Sequence, residues 1–150
     1  MSLVLQINED LKNALKAGDS IKLSTLRMVK TALKNKEIEL GHELSDDEAV
    51  VVIQKEAKQR RDAEREFIIG NRVELADKEA NEAKLLTEYL PKQLSEDEVL
   101  KIINDTIAET GISVITDMGK LMSVLMPKIQ GKADGSMVSR LVKEKLSGSK

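Results

Sequence analysis

Cysteine and tryptophan are absent from the 150-residue sequence, and the aromatic side chains are limited to Phe67 and Tyr89. Without cysteine the chain has no disulfide framework, no thiolate nucleophile and no zinc ribbon, so we expect a cytoplasmic protein. Because aromatic residues are scarce, leucine, isoleucine, valine, methionine and alanine must fill the core. Two prolines and eight glycines are too few turn residues for many short strands. The sequence therefore predicts an all-α protein.

Long apolar runs and a large excess of one charge are also absent. No segment approaches the roughly 20 apolar residues of a membrane-spanning helix, so no membrane partner is expected. The stretch from Ser2 to Leu15 is interrupted by Asn8, Glu9, Asp10 and Lys12, unlike a signal peptide. The net charge of -2 excludes a generally basic nucleic-acid binder, but it leaves room for a local basic face.

Apolar residues at helical spacing predict four helices in the first 91 residues. Gly18 and Gly41 follow the first two helices as C-terminal stops, and Ser45–Glu48 has the form of a capping box. The residues from Val50 to Ile53 would suit a buried strand, but strong helix formers follow them without a turn signal as far as Gly70. The predicted helices are Leu3 to Ala17, Ser20 to about Leu40, Ser45 to Gly70 and about Val73 to Leu90.

Pro91 marks the boundary between two predicted domains, residues 1–91 and 92–150. The residue before a proline disfavours the α region, so the fourth helix should end there. A second capping box at Ser95–Glu98 begins a shorter helix, and two more are predicted, from about Met118 to Met126 and after Asp134. The first domain holds 15 basic and 18 acidic side chains, and the second holds 9 and 8. We therefore expect a bundle of about four long helices and a small three-helix domain of net positive charge.

Few residues could carry catalysis or hold a cofactor. His42 is the only histidine, and it lies in a predicted loop with no nearby serine or threonine nucleophile, which is typical of a solvated histidine. Acidic pairs at the starts of predicted helices complement the helix dipole, with metal binding or glycoside chemistry as the alternative. No P-loop or dinucleotide-binding glycine motif occurs. We therefore expect no catalytic residue, no metal and no cofactor.

Two basic features could contact a polyanion. Gly131–Gly135 contains Lys132 just before a predicted helix, so it could present backbone amides and an ammonium group to a phosphate. An interhelical turn, in which glycine supplies a positive φ, explains this segment equally well. Arg61 and Arg65 lie among carboxylates on the third helix, which is typical of a salt-bridged surface, with phosphate contact as the alternative. Without interleaved aromatic residues, nucleic-acid recognition would depend on phosphates and shape.

The C-terminal part carries a specific motif. Asp117–Lys120 reads DMGK, and it is followed by Pro127 and by Gly131–Gly135, which reads GKADG. Two upstream segments, Lys58–Phe67 and Leu90–Ser95, fit the same pattern. On these motifs the chain resembles the GatB/YqeY family over nearly its whole length. It is most similar to the stand-alone YqeY-like proteins, whose C-terminal part is similar to the tail domain of the B subunit of the aspartyl/glutamyl-tRNA amidotransferase.

The resemblance implies two helical domains and a link to glutamine-dependent carbon-nitrogen ligase activity, in which the tail helps to hold misacylated tRNA. The kinase-like and amidase parts of that enzyme have no counterpart here, so the resemblance implies no catalysis by this chain alone. Family members usually have glycine immediately before the arginine at Arg72, where this chain has Asn71. Asparagine tolerates a left-handed backbone, so we expect the turn to be retained. Asp134 and Gly135 replace the Asn-Pro of the amidotransferase tail, which favours the stand-alone branch.

The leading interpretation is a non-catalytic tRNA-binding module. One alternative is a protein adaptor that docks onto an amidotransferase or an aminoacyl-tRNA synthetase, for which an exposed apolar stripe on the first domain would be diagnostic. Another is an accessory enzyme acting on an amide or aminoacyl ester, although no nucleophile-base pair supports it. The expected nucleic-acid-binding residues are Lys120, Lys128, Lys132, Arg140, Lys143, Arg61, Arg65 and Arg72, with the loop residues Gly119, Gly131, Asp134 and Gly135.

Overall fold

The computed structural model describes residues 2–148, and within that range it is all-α, as predicted, with no β-strand. Helices and one short 3-10 turn follow one another along the chain, separated by brief connections. The elements are α1 (Leu3–Ala17), α2 (Ser20–Leu40), α3 (Asp46–Ile69), α4 (Val73–Thr87), α5 (Glu96–Thr110), the 3-10 turn Ile115–Asp117, α6 (Met118–Ile129) and α7 (Gly135–Leu146).

The chain falls into two compact units, Met1–Leu90 and Pro91–Lys150. Helices α1 to α4 belong to the first unit, and α5 to α7 belong to the second. Each unit has its own cluster of buried apolar side chains. The division into a helical bundle domain, residues 1–91, and a three-helix domain, residues 92–150, stays a prediction.

The ends of α1, α2 and α3 follow the signals in the sequence. Gly18 and Gly41 adopt the left-handed conformation after α1 and α2, with φ of 71° and 76°, which glycine reaches without a Cβ penalty. At the start of α3 the Ser45 hydroxyl accepts from the Glu48 amide at 3.2 Å, and the Glu48 carboxylate accepts from the Ser45 amide at 3.0 Å. The predicted capping box is therefore confirmed, and the residues from Val50 to Ile53, which would also have suited a strand, are helical.

Helices α3 and α4 form an antiparallel hairpin with the most extensive helix contact in the first unit. Asn71 stands in the turn with a φ of 58°, so the prediction that asparagine supports the left-handed turn is confirmed. The N-terminal half of α3 packs against α1 and α2, where Ile53 is fully buried. Beyond Arg60 no α3 residue is buried, so the hairpin extends past the core of its unit.

Two predicted helix ends differ from the structure. Helix α4 ends at Thr87, not at Leu90, because its last residues tighten into i to i-3 turns that bring the Tyr89 hydroxyl to 2.6 Å from the Asp10 carboxylate. Helix α6 continues through Pro127 to Ile129, where the prediction ended it at Met126. Ile129 is 1% exposed in the core of the second unit, and its burial outweighs the hydrogen bond that Pro127 cannot donate.

Candidate nucleic-acid interface

Two of the predicted phosphate-binding residues in the second unit are already engaged by the chain. The Lys128 ammonium donates to the Thr106 hydroxyl and to the Glu109 carboxylate, both at 3.0 Å, which joins α6 to α5. The Arg140 guanidinium pairs with Glu96 of α5 and Glu144 of α7, and the charge of Glu96 raises its pKa above the ordinary arginine value. Both side chains therefore connect α5 to another helix of the second unit, and their charge is largely compensated.

Lys120, Lys132 and Lys143 are more available. All three are exposed, and within residues 2–148 no carboxylate lies within 4.0 Å of the ammonium groups of Lys132 and Lys143. Lys120 has only a long contact of 3.9 Å to Asp117, with its side chain 80% exposed. Lys120 lies in the first turn of α6, and Lys132 lies three residues beyond its last residue, Ile129. About 14 Å of helix separates Lys120 from Ile129, so the two lysines can contact separate phosphates of one strand.

The GKADG segment is held in place by the start of the second unit. The Gln93 side-chain amide donates to the carbonyls of Gly131 at 2.8 Å and Pro91 at 2.9 Å. The Leu94 backbone amide donates to the Lys132 carbonyl at 2.8 Å. Two motifs that are 38 residues apart in sequence therefore meet in space. These bonds fix the backbone from which the Lys132 side chain extends into solvent.

The backbone of this segment has the geometry of an interhelical turn that leads into a capped helix, and its contact with phosphate stays a prediction. Gly131 has a φ of 81°, as expected for the alternative reading of an interhelical turn. Asp134 caps α7, accepting from the Ser136 amide at 3.1 Å, so a carboxylate of the chain itself occupies the helix N-terminus. Gly135 is the first residue of α7 and Gly119 is the second of α6, so neither lies in a loop. What remains available to an anion is the Lys132 ammonium.

The three predicted arginines of the first unit have different surroundings. Arg65 pairs with Asp62 at 2.7 Å, and Asp62 also contacts Lys58 at 3.9 Å, so this surface is salt-bridged. Arg72 is exposed at the N-terminus of α4, and no described carboxylate forms an ion pair with it. Arg61 is half-buried, and it lines a groove between α3 and α4.

Arg60, the neighbour of Arg61, lies inside the protein, which the sequence reasoning missed. Its side chain is 5% exposed, and its guanidinium donates to the carboxylates of Glu56 at 2.8 Å and Glu82 at 3.2 Å. Glu82 is 6% exposed and belongs to α4. The i,i+4 spacing of Glu56 and Arg60 was the available signal, but nothing in the sequence indicates which basic residue of α3 faces α4.

Burial in this cluster affects a third carboxylate. The pKa of Glu79 is raised above its ordinary value, first by desolvation and then by the negative charge of Glu82. Lys78 offsets little of that charge, because its ammonium lies 3.9 Å from Glu82 with the side chain 60% exposed. The shift is explained by packing of α4 against α3, so it does not by itself indicate catalysis.

The histidine and the carboxylates considered for catalysis or metal binding make contacts that are typical of a protein surface. His42 lies on the surface, with Nδ1 2.8 Å from the Glu43 carbonyl and Nε2 3.6 Å from the Glu48 carboxylate. The backbone hydrogen bond from Ser45 is the main cause that lowers the Glu48 pKa. Within residues 2–148 no group of three or more histidine, aspartate or glutamate side chains has a geometry suited to a metal ion. No helix in that range combines the length and apolarity needed to cross a membrane.

Comparison with known proteins identifies relatives along most of the chain. A protein of Vanderwaltozyma polyspora named altered inheritance of mitochondria protein 41, mitochondrial, is 29% identical over 150 residues, which cover 95% of this chain and 80% of that protein. The protein of the same name from Kluyveromyces lactis is 31% identical over 87% of this chain and 69% of its own length. A third, from Clavispora lusitaniae, is 32% identical over 67% of this chain and 59% of its own length.

The names of these relatives contradict the cytoplasmic location predicted above, because they describe mitochondrial proteins. That prediction is wrong on this comparison. The absence of cysteine excludes disulfides and zinc ribbons, but it does not distinguish between compartments that keep thiols reduced.

The resemblance carried by the DMGK and GKADG motifs and by the segments Lys58–Phe67 and Leu90–Ser95 is confirmed at the level of the family. Residues 5–146 match the family described as YqeY-like protein, which takes in both units of the structure. The chain belongs to the YqeY-like protein family.

Proposed function

We propose that the chain is a non-catalytic tRNA-binding module related to tRNA-dependent amidation. The observation that carries this proposal is the presentation of Lys132. Its carbonyl accepts from the Leu94 amide and the carbonyl of the preceding Gly131 accepts from the Gln93 side chain, while its ammonium is free of any carboxylate among the described residues. A fixed backbone with a free cation suits a phosphate contact, because the backbone loses little conformational freedom when the anion binds.

Lys120 and Lys143 add to this surface in the second unit. An RNA strand that follows α6 would meet Lys120 in the first turn of the helix and Lys132 just beyond its last turn. The resemblance to the amidotransferase tail gives the substrate class, and no catalytic role is assigned to the chain.

The test is binding of the full chain to total tRNA and to an equal mass of duplex DNA over a range of salt concentrations. Preferential, saturable binding to tRNA is expected. The double variant Lys120→Glu, Lys132→Glu should weaken it and lower the slope of log affinity against log salt by about 2. Lys12→Glu, Lys101→Glu has the same net charge and serves as the matched control. An unchanged slope in the first variant, or equal binding to DNA, would refute the proposal.

A second candidate function is a protein adaptor for an amidotransferase or an aminoacyl-tRNA synthetase. Exposed apolar residues at the tip of the α3–α4 hairpin favour it, since Ile69 is 85%, Val73 58% and Ile68 57% exposed. A pure RNA binder has no need of such a patch. A variant with serine at all three positions should no longer co-sediment with the purified amidotransferase or aminoacyl-tRNA synthetase. A variant with serine at the exposed Val124 should still co-sediment. Equal loss in both variants would exclude docking through the tip.

A further inference from the structure

A groove of about 420 Å³ is lined by residues of both helices of the α3–α4 hairpin. Its floor is formed by small side chains of α4, the half-buried Ala80 and the 5% exposed Ala83. Thr87 continues the floor, and its hydroxyl donates to the Ala83 carbonyl at 2.8 Å, so the groove receives no free donor from it. A shallow floor of small, mostly apolar side chains allows another helix to approach closely.

The walls carry four charges that pair with nothing in the described part of the chain. They are Arg61 and Glu64 on α3, Lys84 on α4, and Glu88, which directly follows the last residue of α4. One turn away from Arg61 on the same helix, Arg65 does form an ion pair, with Asp62 at 2.7 Å. Four unpaired charges around one apolar floor indicate a surface whose charge complement comes from a partner.

The order of these charges along the groove follows from the register of the hairpin. The Arg60–Glu82 contact at 3.2 Å places those two residues at the same level. Counting along the antiparallel helices at 1.5 Å per residue, Glu64 lies nearest the turn, then Arg61, Lys84 and Glu88, over about 15 Å. From the turn of the hairpin onward, the charges along the groove are therefore negative, positive, positive and negative.

We propose that this groove binds an amphipathic helix of a protein partner, which carries basic, acidic, acidic and basic residues in that order at one-turn intervals. Small apolar side chains of that helix lie on Ala80 and Ala83. This inference rests on the adaptor function, and it assigns that function a second contact apart from the hairpin tip.

The same charge order excludes the other occupants. A second copy of the chain, related by a two-fold axis through the groove, would place Glu64 against Glu88 and Arg61 against Lys84, which are repulsive contacts. An RNA backbone would meet carboxylates at both ends of the groove, and the alanine floor offers no surface on which a base could stack.

The probes are two synthetic helical peptides of identical composition. One presents Lys, Glu, Glu, Lys at i, i+4, i+7 and i+11, and the other presents Glu, Lys, Lys, Glu at these positions, both with alanine and leucine beside them. Fluorescence anisotropy with the full chain should show the first peptide binding at least about tenfold more tightly. Equal affinity for the two peptides, or no binding of the first, would overturn the proposal.

Two variants of the protein sharpen the result. Exchanging all four wall charges, with Arg61→Glu, Glu64→Lys, Lys84→Glu and Glu88→Lys, keeps the net charge and should invert the preference between the peptides. Filling the floor with Ala80→Leu should abolish binding of the first peptide. Leucine at exposed Ala108 of α5 is its matched control, and far-UV circular dichroism verifies that each variant is folded.

The outcomes separate the groove from the adaptor function itself. If docking to the enzyme depends on the hairpin tip, but the two peptides bind with equal affinity, the adaptor function is supported and the groove is excluded as a peptide site. Displacement of the bound peptide by tRNA would assign the groove to RNA, and a dimer that Ala80→Leu dissociates would assign it to a second copy. Either result would overturn the proposal.

Discussion

Replacing Arg60 by methionine tests how the α3–α4 hairpin is held together. The guanidinium is 5% exposed, and it is the only cation within 3.5 Å of the Glu82 carboxylate among the described residues. Methionine retains most of the apolar stem but removes the charge and its donors. Glu56 is 18% exposed and can turn toward water, whereas Glu82 is 6% exposed and cannot. The variant therefore leaves one buried carboxylate without a close partner.

The expected loss of stability follows from that buried charge. Removing one partner of a buried ion pair costs about 3–5 kcal/mol. Lys78 lies 3.9 Å from Glu82 on an exposed side chain and can move closer, so we expect the lower end, about 3 kcal/mol. With a slope of about 1.5 kcal/mol per molar urea, the unfolding midpoint should fall by about 2 M.

The assay is urea unfolding at neutral pH, followed by far-UV circular dichroism. Arg65→Met is the matched control on the same helix, because its ion pair with Asp62 is exposed, and we expect a change within about 0.5 kcal/mol. Adding Glu82→Leu to Arg60→Met removes both charges and should restore most of the lost stability. The reasoning is refuted if Arg60→Met unfolds at the parent midpoint, or if the double variant is no more stable than the single one.

Three further substitutions test other parts of the structure. Tyr89→Phe removes the bond to Asp10 and should cost about 1.5 kcal/mol in urea unfolding; an unchanged midpoint would exclude that contact in solution. Glu79→Gln removes a carboxylate whose pKa is raised on folding, so the contribution of Glu79 to the stability of the parent falls as the pH rises above 4.5. The variant should therefore be more stable than the parent at neutral pH and as stable as the parent in acid. A variant Glu79→Gln that is less stable than the parent at neutral pH would contradict this prediction. Ser45→Ala should cost about 1 kcal/mol and speed hydrogen exchange in the first turn of α3, whereas Ser45→Gly should cost only a few tenths.

Several local features could be predicted from the sequence because they depend on neighbouring residues. The capping boxes at Ser45 and Ser95 act over three residues, and the glycines after α1 and α2 act through their own backbone. The end of α6 could not be predicted in this way. Pro127 is a local signal to stop, but Ile129 two residues later is needed in the core, and its burial prevails.

The candidate interface was predictable only in part. The sequence identified the basic residues and the motif around Lys132, but not which cations were already paired. Lys128 and Arg140 find their partners on α5, 19 and 44 residues away, and such distant pairing leaves no periodic signal. The contact between Gln93 and Gly131 likewise joins two segments that sequence analysis could describe only as separate motifs.

The sequence by itself determined the all-α class, most helix boundaries and the membership of the YqeY-like family, since these follow from composition, local capping and specific motifs. The tertiary structure alone decided which charges are free. Adjacent residues of one helix point in different directions, so Arg60 is buried against α4 while Arg61 lines an open groove. A one-residue step of about 100° separates a structural ion pair from a surface available to a partner, and only the packing of the second helix shows which residue takes which role.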